Sequence, residues 1–269
     1  MKKKILFPTD FSRAATNAFR YALKLADRIG GRIDLMSVYH LPLTDAGRVP
    51  PEYIDEMLKE RREDIKKQME EVCKGAPEEL LGERIPQYGL FIYQEITEVA
   101  MEGEYNLIVM GTKGEHNPME KLVGSVTTQT MMNAPCPVIA VPEDAQFADI
   151  ERIAYATDFH PEDRKAIEQL MEIAGSLAAK VHFVHVDLRG DKEITDRVAL
   201  KNYPFEFTEF SVITGPDLMS SLDDYVRRHS VQLLALFIPE RRLWERLFHS
   251  SFTKRMTFHT KIPLLVFHQ

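Results

Sequence analysis

Gly111, Gly114 and the pair Gly124–Ser125 take three of only 13 glycines in a chain of 269 residues. They follow the apolar run Leu107–Met110 and precede SVTTQTMMN, which reads as the start of a helix. Glycines at the end of a strand let the backbone approach a ligand with no Cβ in the way. A helix N-terminus adds unpaired N–H groups and a partial positive charge. Ser125 contributes a hydroxyl that can donate to an anion or cap the helix. This is chemistry for holding phosphate. The spacing is neither G-x-x-x-x-G-K-[ST] nor G-x-G-x-x-G, the two common phosphate loops. One glycine at a strand end is usually a turn residue. Three, with a serine before a helix, suit a bound phosphate.

The elements that must position these residues occur twice. At an offset of 148, Thr9-Asp10-Phe11 falls on Thr157-Asp158-Phe159, and Phe19, Ala22, Ala26 and Ile29 fall on Ile167, Leu170, Ala174 and Leu177. Steps of three and four mark one face of a helix. Further on the offset is 126: Gly89 falls on Gly215, NLIVM on QLLAL, and PCPVIAV on KIPLLVF. The second half is therefore shorter between about residues 45 and 85. There the first half carries a long charged helix with Ile54, Leu58, Ile65, Met69 and Val72 along one edge.

Short continuous apolar strands such as ILFP and LIVM suit a parallel sheet covered on both faces. Strand–helix alternation predicts an α/β fold of two tandem doubly wound parallel-sheet domains, with right-handed crossovers. The expected boundaries are 1–144 and 150–269. Two such domains are expected to pair as a pseudo-symmetric dimer within one chain, and a homodimer of chains is open as well.

Composition narrows the function classes. The chain is 44% hydrophobic with a net charge of −7, which fits a globular protein and speaks against a general binder of nucleic acid or anionic membrane. Cys73 and Cys136 are far apart and form no metal or disulfide framework, which suits a reducing compartment. No stretch has the length of a membrane span or a secretory signal, so a cytoplasmic location is expected. Of nine histidines, seven lie in the second half, and His182 and His185 point to opposite faces of a strand. No metal site is expected.

The pattern G-x2-G-x9-G-[ST] at Gly111, Gly114, Gly124 and Ser125 resembles the ATP-binding signature of the universal stress protein family. ILFPTDFS and NAPCPVIAVP are similar to that family's first and last strands. The whole resembles its tandem members, whose domains are Rossmann-like in the manner of adenine nucleotide alpha-hydrolases. The resemblance implies ATP in domain 1, with Mg2+ on the phosphates rather than on a cluster of protein ligands. It implies Pro8, Thr9 and Asp10 beside the adenosine and the backbone of Val38 against adenine. Gly111 would lie by the ribose and first phosphates, and Gly114, Gly124, Ser125 and the Val126 backbone would hold the phosphates. Asp10 serves equally as a helix-capping residue. Lys113 stands between phosphate contact and solvated loop, and Lys121 reads as solvated.

Domain 2 departs from the signature. Gly111 becomes Phe237, Gly114 becomes Glu240, and Gly124–Ser125 becomes Ser250–Ser251. A ring fills the bare-backbone position, and a carboxylate would repel phosphate. Domain 2 is expected not to bind ATP in this manner. Its replacement loop, PERRLWERLF, reads as local packing with a partner patch as the alternative.

The expected function is that of a stress-response regulatory protein that binds ATP in domain 1, with domain 2 a non-binding, structural or sensing partner; no protein partner is named by the sequence. The alternatives are a slow ATP hydrolase or phosphotransferase and a nucleotide-independent scaffold. Hydrolysis needs a group that orients water. Glu115 is the nearby carboxylate to test, and no catalytic residue is assigned.

Overall fold

The structure is a computed structural model that describes residues 2–41, 51–112, 124–157, 164–188, 209–238 and 262–268. The chain divides into two compact units, Met1–Asp144 and Ala145–Gln269. The first unit runs β1 Lys3–Pro8, α1 Arg13–Ile29, β2 Gly31–Tyr39, α2 Pro51–Cys73, a 3-10 turn Glu78–Leu80, β3 Leu81–Tyr88, α3 Ile92–Glu102, β4 Leu107–Gly111, α4 Ser125–Asn133 and β5 Val138–Val141. The strands pair in parallel in the order β3-β2-β1-β4-β5.

The second unit runs β6 Arg152–Ala156, α5 Arg164–Leu177, β7 Lys180–Asp187, β8 Glu209–Thr214, α6 Leu218–Arg228, β9 Leu233–Ile238 and β10 Leu264–His268. Its order is β10-β9-β6-β7-β8, again parallel. This is the α/β doubly wound architecture that the strand–helix alternation predicts, built twice.

The repeat extends to single hydrogen bonds. Thr9 N–H donates to the Met36 carbonyl at 2.8 Å, and Thr157 N–H to the Val184 carbonyl at 3.0 Å. Lys4 N–H donates to Asn106 Oδ1 at 2.8 Å, and Arg152 N–H to Gln232 Oε1 at the same distance. Residues at the same offsets thus meet equivalent partners.

Packing follows from the sequence patterns. Consecutive residues Ile5, Leu6 and Phe7 are all fully buried, so both faces of β1 are covered. α1 buries Ala18, Phe19, Ala22, Leu25, Ala26 and Ile29, the face that its spacing predicts, and Phe19 sets its ring 5.2 Å from that of Phe7. On α2, Ile65 and Met69 are buried with Tyr39, and Leu58 and Phe11 pack against them. The long charged helix is therefore anchored by its apolar edge. The corresponding stretch of the second unit, 189–208, lies outside the described residues, and with it the expectation that the helix is missing there.

Candidate functional site at the strand ends of the first unit

β1 is flanked by β2, reached through α1, and by β4, reached after α3 from the other side of the sheet. The direction of winding reverses between β1 and β4. Ligands of open α/β sheets bind outside the carboxyl ends of the strands at such a reversal.

Pro8 ends β1, and Thr9 is buried just beyond it. The chain then turns sharply. Thr9 Oγ1 accepts the Phe11 N–H at 3.0 Å, and Asp10 Oδ1 accepts the Ser12 N–H at 3.1 Å. Phe11 takes a left-handed backbone conformation, φ 64°, uncommon for a large side chain. Its side chain packs against the buried cluster of Tyr39, Ile65 and Met69. Asp10 is exposed at the head of this turn. It does not cap α1: Ser12 does, with its side chain accepting the Ala15 N–H at 3.2 Å. The capping reading of Asp10 therefore moves to Ser12, two residues later.

Val38 is the next-to-last residue of β2. Backbone groups of a strand point alternately to its two neighbours. The Met36 carbonyl faces β1, where it meets Thr9 N–H, and the Tyr39 carbonyl faces β3, where it meets Gly89 N–H at 3.1 Å. Val38 therefore turns its N–H and carbonyl toward the β1 side. The β1 register ends at Pro8, opposite Met36, so this edge lies past the end of β1.

Gly111 ends β4. Ile5 pairs with Leu107 and Leu6 with Ile108, so β1 and β4 run side by side in parallel. A Cβ on Gly111 would lie 3.2 Å from the Ala14 carbonyl oxygen and 3.4 Å from Ala15 N. The missing side chain thus admits the first turn of α1. Thr112 N–H donates to the Val141 carbonyl at 3.0 Å, Gly124 N–H to the Thr112 carbonyl, and Thr127 Oγ1 to the Gly111 carbonyl at 2.8 Å. These bonds close the start of α4 onto the end of β4. The N-cap of α4 is Gly124, which has no side chain to offer its first-turn N–H groups. Ser125 and Val126 are the first two helical residues, with Ser125 exposed.

Pro8, Thr9, Asp10, Val38, Gly111, Gly124, Ser125 and Val126 therefore share one end of one sheet. Lys113, Gly114, Glu115, His116 and Lys121 lie outside the described residues. Ser12, Phe11 and Thr127 belong to the same construction and escape a reading of motifs. Ser12 was detectable as a good capping residue just before the first helical face. Phe11's backbone carries no local signal.

At the equivalent end of the second unit, Phe237 occupies the Gly111 position, half-buried. Asp158, Glu240, Ser250, Ser251 and the whole of PERRLWERLF lie outside the described residues. His185 Nδ1 lies 2.9 Å from the Thr157 carbonyl, and His182 Nδ1 lies 3.1 Å from Glu209 Oε2. Both rings are buried. Burial holds His182 below the ordinary histidine range, against the opposing pull of Glu209. Among the described residues no group of three or more His, Cys, Asp or Glu is placed to hold a metal ion, and no helix is long and apolar enough to cross a membrane.

The comparison with known proteins agrees with this architecture. The model of the universal stress protein family matches residues 1–142. Universal stress protein MJ0531 of Methanocaldococcus jannaschii is 32% identical over 147 residues, covering 52% of this chain and 81% of that protein. Universal stress protein MJ0577 of the same organism is 29% identical over 160 residues, covering 52% and 95%. A universal stress protein structure from Archaeoglobus fulgidus superposes with a TM-score of 0.72 at 20% identity, over 98% of this chain and 97% of that one. That likeness is one of fold and spans both units. With a family match over more than half its length and a curated relative matched over four-fifths of that relative's own, the chain belongs to the universal stress protein family.

Proposed function

We propose that the first unit binds ATP at the carboxyl ends of β1, β2 and β4, and that the protein is a nucleotide-dependent regulator in the stress response. The observation that carries this reading is the joining of β4 to α4. A bare Gly111 and the start of a helix whose N-cap lacks a side chain stand together at the reversal of the sheet. First-turn N–H groups and the helix's partial positive charge favour phosphate there. The G-x2-G-x9-G-[ST] pattern resembles that of ATP-binding family members and supplies the choice of ligand.

In this reading the first turn of α4, from Ser125 and Val126, takes the phosphates, with Gly114 from the preceding loop. Gly111 lies by the ribose and first phosphates. The exposed carboxylate of Asp10 meets the adenosine, beside Pro8 and Thr9, and Val38 offers backbone N–H and carbonyl to the adenine edge. Lys113 adds charge to the phosphate loop. Mg2+ carried by the nucleotide would screen the phosphates. The second unit, with Phe237 in place of Gly111, is a partner that does not bind ATP.

Calorimetric titration of the full chain with Mg-ATP, ADP and AMP tests this, alongside phosphate release over hours. The expected result is one ATP bound per chain with no phosphate release above background. Steady release would move the assignment to a slow hydrolase. The absence of any nucleotide binding would leave the scaffold reading.

A further inference from the structure

The turn from β3 into α3 exposes large apolar side chains in close succession: Tyr88 at 49%, Leu90 at 56%, Phe91 at 61% and Ile92 at 38%. Single exposed apolar residues are ordinary, but four within five positions are not. The turn is also firmly built. Gly89 N–H donates to the Tyr39 carbonyl at 3.1 Å, and Gln87 Nε2 to Glu95 Oε2 at 2.8 Å. The Phe91 carbonyl accepts the N–H groups of Gln94 and Glu95. The Glu95 side chain fills the space where a Gly89 Cβ would sit. Tyr88 rests edge-on against Tyr39, with ring centroids 5.9 Å apart. Leu90 and Phe91 are thus held outward by a rigid support.

The second unit is an internal control. It builds the same turn with Thr214, Pro216 and Asp217 in place of Tyr88, Leu90 and Phe91. Gly215 replaces Gly89, and Ser221 Oγ fills the space of its missing Cβ as Glu95 does in the first unit. Asp217 caps α6 by accepting the Ser220 N–H at 2.9 Å. Phe91, at the same N-cap position of α3, makes no side-chain cap bond. The fold therefore requires no apolar residue here and is better served by a capping one. At its exposure, Phe91 is not explained by burial either.

The charge of the helix that the turn opens indicates what would cover it. Residues 92–104 contain Glu95, Glu98, Glu102 and Glu104 and no Lys or Arg. Glu98, Glu102 and Glu104 are exposed. α6, by contrast, ends in Arg227 and Arg228.

We infer that the β3–α3 turn of the first unit is a docking surface for a separate protein, one that presents aromatic or aliphatic anchors flanked by Lys or Arg. Apolar anchors at the turn supply affinity, and the acids along α3 steer and select a basic partner. The same acids oppose an anionic lipid surface.

The test uses the full chain and a fluorescein-labelled helical Leu/Lys peptide, with a Leu/Glu peptide and phosphatidylcholine vesicles as controls. The Leu/Lys peptide is expected to bind and the Leu/Glu peptide to bind at least tenfold more weakly. Phe91→Asp is expected to weaken Leu/Lys binding at least tenfold, although it adds negative charge, while keeping or raising Tm. Leu90→Ser should act in the same direction, and Glu98→Lys should weaken binding severalfold. ATP titration of Phe91→Asp should match the wild type, which separates this surface from the nucleotide site. Unchanged peptide binding by Phe91→Asp and Leu90→Ser would overturn the inference. So would equal binding of the acidic peptide, or capture by the vesicles in place of the peptide.

Discussion

A Cβ placed on Gly111 meets the Ala14 carbonyl oxygen at 3.2 Å, a backbone atom with no rotamer into which to retreat. Gly111→Ala must therefore displace the first turn of α1 or the end of β4. The expected cost is about 1–3 kcal/mol in urea denaturation, as for other overpacked sites. His182 provides a second residue-scale prediction. Burial lowers its pKa in the folded state, so as pH falls through about 6.5 the unfolded chain takes up the proton before the folded chain does. The unfolded state then binds more protons, and stability falls as pH drops below that value. His182→Gln keeps a donor toward Glu209 and should flatten the fall between pH 7.5 and 5.5. Glu209→Gln removes the carboxylate that raises this pKa and should make the fall larger. Denaturation midpoints at the two pH values check both. Single residues are also where a reading of the sequence goes furthest astray. Thr9-Asp10-Phe11 is visible because it recurs, yet Ser12 rather than Asp10 caps α1. Phe11 combines a left-handed backbone with packing against Tyr39, Ile65 and Met69, which are distant in sequence.

At the scale of elements, the two helices that follow β3 and β8 form a natural pair. α6 is capped by Asp217 and α3 begins at an uncapping Phe91. Asp217→Ala should destabilise by about 1 kcal/mol, and Phe91→Asp should gain a similar amount; thermal denaturation of the two variants reads both signs. These elements are legible in the sequence because parallel strands buried on both faces leave uninterrupted apolar runs, and α1, α3, α5 and α6 leave stripes at steps of three and four. The offset of 126 even places α3 and α6 on identical spans, Ile92–Glu102 and Leu218–Arg228. The hydrogen bonds that close α4 onto β4 were not legible. Thr127 Oγ1 reaches the Gly111 carbonyl across 16 residues, and no local pattern marks it. The glycines were legible as a motif, but the steric reason for Gly111, the approach of α1, needed coordinates.

At the scale of the whole molecule, one fold is used twice with different ends. Both units wind in the same order around a central strand, β1 or β6. The first ends β4 in Gly111 and the second continues β9 through Phe237 to Ile238. The account therefore predicts one nucleotide per chain, held by the first unit. The most direct measurement is calorimetric titration of Mg-ATP into the wild type and Ser125→Asp. An aspartate at the first helical position suits the helix's partial charge and should leave Tm unchanged or slightly higher, while its carboxylate repels phosphate. One ATP per wild-type chain, with at least tenfold weaker binding to an equally stable Ser125→Asp, is the predicted result. A wild type that binds no ATP, or a Ser125→Asp variant that binds it equally well, would contradict the placement of phosphate at the start of α4.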